Sequence, residues 1–137
     1  MTLLHSTFRL FRILYINSSK IHKCTVIQAD LHYVGSITID EDLLDACGMW
    51  GGEKVLVVSN TSGSRLETYT IVGPRGTGMI SVNGAAAHHI KEGEEIIIVG
   101  FELRENIKDF SPSVIHVTDK ENKKFERLSE AAGMVAP

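Results

Sequence analysis

Three short segments carry side chains whose types and spacing could do chemistry. In Asp30-Leu31-His32-Tyr33-Val34-Gly35-Ser36 a serine hydroxyl follows a glycine. The glycine carbonyl is unhindered, and the missing Cβ allows backbone conformations closed to other residues. Read alone, such a pair beside strand formers is a turn. Arg65-Leu66-Glu67-Thr68-Tyr69 offers a guanidinium, a hydroxyl and a phenol. In a strand Arg65 and Tyr69 share one face, whereas Thr68 points to the other. Both Thr68 and Tyr69 can serve one site only if the strand twists or bulges, or if the site lies at a subunit junction. Asn83-Gly84-Ala85-Ala86 reads as a turn entering a short helix with Asn83 as N-cap. Backbone N–H groups at such a start suit an anion or a carbonyl, and small side chains let a ligand approach them.

The elements that must position these residues are mostly strands. Residues 21–28 and 33–39 are rich in β-branched and aromatic types. Residues 40–48 read as a short helix, with Asp40 as N-cap, an acidic first turn and Gly48 as the left-handed stop. The apolar run 54–60, the turn 61–64 and the run 65–72 make a hairpin. Further strands are expected at 79–82, 94–103 and 113–118, with a polar turn over 119–122. Many short strands imply a barrel or a sandwich, and periodicity does not choose between them.

Composition sets the outer bounds. A chain of 137 residues, 43% hydrophobic and 23% charged, suits one globular domain. A net charge of -3 gives no electrostatic footprint for nucleic acid, and no apolar run is long enough to cross a bilayer. Cys24 and Cys47 form no metal or disulfide pattern and read as small buried residues in a reducing compartment. His88 and His89 are adjacent, so their side chains diverge, and no carboxylate or cysteine lies at ligand spacing. Before Asp30 there is no acidic residue, and residues 1–14 are basic and apolar, faintly like a targeting peptide.

Taken together, the Gly35-Ser36 pair, the Arg65–Tyr69 segment and the Asn83-Gly84-Ala85-Ala86-Ala87-His88 segment resemble the pyruvoyl-dependent aspartate 1-decarboxylase family. The resemblance runs over residues 20–105. It implies a mainly β fold, a six-stranded double-psi β-barrel, assembled as a homotetramer with active sites between subunits. It also implies that the chain cuts itself between Gly35 and Ser36, by an N→O acyl shift and then a β-elimination. Ser36 would thereby become a covalent pyruvoyl group, the cofactor, able to hold the substrate amine as a Schiff base. Thr68 corresponds to a residue that stabilises processing and contacts substrate, and Tyr69 to the proton donor. Lys20 and Arg65 correspond to basic residues facing the substrate's carboxylates, and Asn83, Gly84, Ala85 and Ala86 to a substrate-binding loop. His22 corresponds to a histidine near the processing site.

The expected organisation is an unassigned N-terminal extension over 1–19, a barrel domain over 20–128 and a tail over 129–137. The expected activity is conversion of L-aspartate to β-alanine and carbon dioxide, feeding pantothenate and coenzyme A, in the cytoplasm. No metal, membrane or nucleic acid is expected, and whether cleavage is spontaneous or assisted by a maturation factor stays open. The rival readings are a non-catalytic double-psi barrel that only binds, or a decarboxylase of another acidic amino acid such as glutamate.

Overall fold

The structure, a computed structural model, describes residues 12–105 and 108–130. It is mainly β. Its elements in order are β1 (Leu14–Thr25), β2 (Gln28–Asp30), β3 (Ser36–Asp40), α1 (Glu41–Cys47), β4 (Lys54–Ser59), β5 (Arg65–Gly73), β6 (Ile80–Asn83), a 3-10 turn (Gly84–His88), β7 (Glu95–Arg104), β8 (Ser113–Val117) and β9 (Phe125–Arg127). The strands hydrogen-bond in the order β2-β6-β3-β5-β4-β7-β1-β8-β9. Most pairs are antiparallel, but β1/β8, β2/β6 and β3/β5 are parallel.

Alternation explains how this sheet closes on itself. In β7 the inward residues Ile96 and Ile98 are fully buried, and in β4 Val55 and Val57 are nearly so. They meet Ile21 of β1, Ile37 and Ile39 of β3, Ile80 of β6 and Ile115 of β8 in a single cluster. Strands from both ends of the order thus share one core, so the sheet wraps around it in a barrel-like form. Leu43, Leu44 and Cys47 of α1 plug into the same cluster.

The helix forms where its signals place it. The Asp40 carboxylate accepts from the Asp42 amide at 2.8 Å, and Gly48 closes the helix at φ +76°. Asp40 also accepts from the Gly76 and Gly78 amides at 3.0 and 2.7 Å, so one buried carboxylate caps α1 and pins the loop before β6. Arg75 braces the outside of α1 against Glu41, Asp42 and Asp45.

Several boundaries differ from the sequence expectation. β1 starts at Leu14, within the segment left unassigned, because Leu14–Asn17 pair with Arg104–Phe101. The strand expected over 21–28 breaks at Val26 and Ile27, whose amides leave for Glu94 and Ile80 carbonyls. The strand expected from 33 begins only at Ser36, since a turn held by Asp30 occupies the residues before it. The turn over 119–122 is as expected and does more than reverse the chain. Buried Asn122 donates to the Thr25 and Gly78 carbonyls and accepts from the Thr25 amide at 2.8 Å. Cys24 and Cys47 are buried thiols, and burial pushes both up, Cys47 to about 11. Among the described residues no helix is long and apolar enough to cross a membrane.

Glu94 gives the fold a pH-dependent lock. Burial raises its carboxyl, but hydrogen bonds from Ser59 Oγ (2.6 Å), the Lys91 amide (2.6 Å) and Ser62 outweigh burial and hold it below the usual range. A depressed carboxylate stabilises the fold above its unfolded value, and that stabilisation is lost as pH falls through the folded value. Glu94→Gln should therefore cost about 2 kcal/mol at neutral pH, from lost charge-assisted bonds. The deficit should shrink once pH drops below about 4.3, the ordinary glutamate value. Urea melts at stepped pH in an uncut Ser36→Ala background would measure it; a deficit independent of pH would refute the ionised lock.

Candidate active site

The site is built where β3 meets β6. Ser36, the first residue of β3, lies opposite Asn83, the last of β6. The turn at Asp30 carries the chain across to Gly35 and delivers Ser36 at φ +92°, in the half of backbone space that side-chain-bearing residues rarely occupy. Ser36 is 4% exposed, and its Oγ has no hydrogen-bond partner among the described residues. A buried hydroxyl with neither donor nor acceptor satisfied is costly, and such atoms concentrate at reactive sites. Around Gly35 the space is open: a Cβ built there would meet nothing within 4 Å.

Gly84 supports this strained pair from below. Its own φ is +64°, and a Cβ on it would fall 2.9 Å from Gly35 Cα and 3.2 Å from the Tyr33 carbonyl oxygen. Only glycine lets the two backbones lie this close. The 3-10 turn then presents Ala85 and Ala86 to the same space.

A pocket of about 350 Å³ opens here, at the lower end of the usual range for small-molecule sites. Gly35, Ser36, Thr68, Asn83, Ala85 and Ala86 line it. Six of the residues singled out from sequence are therefore brought together, and Gly84 packs directly beneath them.

Asn83 behaves differently from the expected N-cap. It occupies the cap position, but its side chain makes no cap bond to the 3-10 turn. Instead Nδ2 donates to Thr38 Oγ1 at 3.0 Å and Oδ1 accepts from Ser81 Oγ at 2.8 Å, with the residue 2% exposed. Neighbouring hydroxyls on the sheet compete successfully for the amide, and they fix its orientation. Thr38 and Ser81 were missed from sequence. Their signal was available: Thr38 alternates with Ser36 and Ser81 with Asn83, and the two lie directly opposite.

Lys20, Arg65 and Tyr69 do not line this pocket within one chain. β5 alternates without a bulge against β4, Thr68 facing Val55 and Tyr69 facing Lys54. Thr68 therefore looks inward, while Arg65, Glu67 and Tyr69 stand in a row on the outer face, Tyr69 at 44% exposure. Lys20 sits on β1 with its Nζ 2.8 Å from Glu130 Oε1. Nearby His22 is 6% exposed, its ring 5.5 Å from that of His116 and both its nitrogens without partners among the described residues. Burial first, then Lys20, His116 and Lys23, hold its imidazole below the ordinary range, favouring the neutral form.

Comparison with known proteins gives one consistent answer. The family model for aspartate decarboxylase matches residues 13–124. A curated aspartate 1-decarboxylase of Bacillus velezensis is 49% identical over 115 residues, covering 82% of this chain and 90% of the relative. Another, of Bacillus pumilus, is 53% identical over 108 residues, covering 77% and 84%.

Proposed function

The chain belongs to the aspartate decarboxylase family, and from that premise we propose that it converts L-aspartate to β-alanine and carbon dioxide on a pyruvoyl group made from Ser36. The β-alanine would feed pantothenate and coenzyme A synthesis in the cytoplasm. The single observation that carries the cofactor assignment is Ser36 itself. It is buried, at φ +92°, its hydroxyl unpartnered among the described residues, and it follows a glycine with free space where a Cβ would stand.

Those features suit self-cleavage. Ser36 Oγ adds to the Gly35 carbonyl, the Gly35–Ser36 C–N bond breaks, and the acyl group passes from nitrogen to oxygen. Strain at Ser36 favours leaving the amide, because cleavage releases the constrained φ. Thr68, which lines the same pocket, is assigned as the donor to the oxyanion formed during the shift. Loss of the Ser36 α-proton with expulsion of the Gly35 carboxylate, then addition of water and release of ammonia, balances the conversion. A pyruvoyl group supplies a ketone that condenses with the substrate amine and a conjugated carbonyl that accepts the electron pair left by carbon dioxide.

The chain's own residues supply the rest. Asn83, gripped by Thr38 and Ser81, presents a fixed amide at the pocket wall. Ala85 and Ala86 leave room for substrate beside the backbone. Tyr69 is assigned as proton donor, and Arg65 and Lys20 as partners for substrate carboxylates. Because β5 points Tyr69 and Arg65 away from their own chain's pocket, we assign them to the pocket of a neighbouring subunit in a homotetramer. Tyr15 and Leu103, exposed at 63% and 71%, add apolar surface that association would cover. The six-stranded double-psi barrel belongs to the same reading, supported by the parallel β1/β8, β2/β6 and β3/β5 pairs within a mostly antiparallel sheet.

Denaturing mass spectrometry of purified, active protein tests the assignment. Two fragments are expected, the larger starting at position 36 with a keto-acyl group in place of an amine. Active material consisting of one uncut chain would refute it. Gly84→Ala should slow cleavage at least about tenfold, since strain of roughly 1–3 kcal/mol and the clash with Gly35 move the scissile bond. A time course of fragment appearance reads this, and an unchanged rate would remove Gly84 from the processing machinery.

A further inference from the structure

Trp50 is the chain's single tryptophan, and it stands 80% exposed in the turn between α1 and β4. Tryptophan is highly buried on average, and it is enriched among the anchors of interaction surfaces. The backbone here is fixed: the Trp50 amide donates to Glu53 Oε2 at 2.9 Å, and its carbonyl accepts from Thr70 Oγ1 at 2.6 Å. A groove of about 280 Å³ opens beside the indole, lined by Glu41, Leu44, Asp45, Met49 and half-exposed Val72. A Cβ on Gly51 would fall 2.8 Å from Val72 Cγ2, so a side chain at 51 would crowd the groove wall. Buried Leu44 and Met49 make an apolar floor. On the rim, Glu41, Asp42 and Asp45 share the one guanidinium of Arg75, which leaves negative charge in excess. The occupant this groove fits is apolar and basic.

One segment of the chain has that character. Residues 1–11 contain Leu3, Leu4, Phe8, Leu10 and Phe11, together with Arg9 and no acidic residue. They lead into β1 at the end of the sheet where the groove lies. Leu14 of β1 pairs with Arg104 on one side of β7, and Val55 of β4 pairs with Gly100 on the other. The starts of β1 and β4 are therefore neighbours across a single strand, about 10 Å apart. Tyr15 and Lys54 line one depression there, and the Trp50 turn immediately precedes β4. Eleven extended residues reach up to about 36 Å, well beyond that separation.

We infer that residues 1–11 dock in the groove beside Trp50, with apolar side chains against the indole and Arg9 against Glu41 and Asp45. Exposed apolar surface and unmatched acidic charge are then covered by one segment. The segment lies upstream of Gly35–Ser36 and the groove lies downstream. In a chain cut at that bond the contact clasps the two pieces together. That consequence rests on the decarboxylase reading; the docking itself does not.

The indole reports its own coverage, because no other tryptophan emits. In the full-length chain acrylamide should quench Trp50 at least about threefold less than in a chain lacking residues 1–11, since docking withdraws most of a large ring from solvent. Emission from the full-length chain should also lie further to the blue. Uncut Ser36→Ala protein should show the same contrast, so the readout is independent of cleavage. Arg9→Glu should expose the indole as the deletion does. Adding Asp45→Lys, in the last turn of α1 where a cation is favoured, should protect it again. Equal quenching with and without residues 1–11 would overturn the inference, whether the groove is empty or a second copy fills it. Protection of the full-length chain that fades on dilution would also overturn it, by giving the groove to a neighbouring chain. Arg9→Glu protein left as protected as the wild type would refute the placement of Arg9. Wild-type protein that is neither cut nor active would overturn the decarboxylase reading and leave the docking standing.

Discussion

Ser36→Ala protein should stay in one piece and release no carbon dioxide from aspartate, a fall of at least about 10⁴-fold. The substitution removes one atom, and that atom has no partner among the described residues. Deleting an unsatisfied buried hydroxyl removes a desolvation penalty and breaks no hydrogen bond, so stability should be equal or slightly higher. Loss of activity would then be chemical and could not be blamed on misfolding. Intact mass, a thermal melt and a carbon dioxide assay on one sample decide the matter. Residual turnover by the uncut Ser36→Ala chain would show that the electrophile comes from somewhere else.

Tyr69→Phe should be cleaved normally yet lose roughly 10²–10⁴-fold in kcat, the usual worth of a positioned acid. KM should change little, because the phenolic proton is needed after the substrate is bound. The side chain is 44% exposed on the outer face of β5, so removing its hydroxyl leaves the fold undisturbed. The arrangement also gives a sharper result. If Tyr69 serves a neighbouring chain's pocket, co-expressing Ser36→Ala with Tyr69→Phe should regenerate some sites in which both residues are native. Activity should then reappear in a mixture of two inactive chains. No recovery from a co-assembled mixture would mean that Tyr69 acts within its own chain, against the regular alternation of β5 seen here.

Much of this could be read from the residues because it depends on local rules. Asp40 and Gly48 announce α1 by capping chemistry that needs no tertiary partner. The β4–β5 hairpin follows from a polar four-residue turn between alternating runs. The alternation of β5 likewise foretold that Thr68 and Tyr69 would face opposite ways.

What was not legible depends on partners distant in sequence. Asn83 looks like a helix cap until Thr38, 45 positions away in the chain, takes its amide hydrogen. The first turns of β1 include Asn17, Ser18 and Ser19, poor strand formers that are held by β7. β9 is exposed along its whole length, so it has no apolar alternation to reveal it. His89, which lines the Ser36 pocket, joined no motif, since nothing local to it indicates that the 3-10 turn brings it there.

The position of β1 carries a consequence for how the mature molecule behaves when stressed. It runs between β7, antiparallel, and β8, parallel, yet it lies upstream of the Gly35–Ser36 bond. If that bond is cut as proposed, the two pieces are held together by ladder hydrogen bonds, shared core, the Asn122–Thr25 hydrogen bonds and the Lys20–Glu130 ion pair, with no covalent link. Melting then becomes a dissociation, and recovery a second-order encounter that slows on dilution. The covalent precursor reassembles from one chain and has no such dependence. Protein that has matured should therefore renature poorly from dilute denaturant where its Ser36→Ala counterpart regains structure, making cleavage a one-way commitment of the folded state.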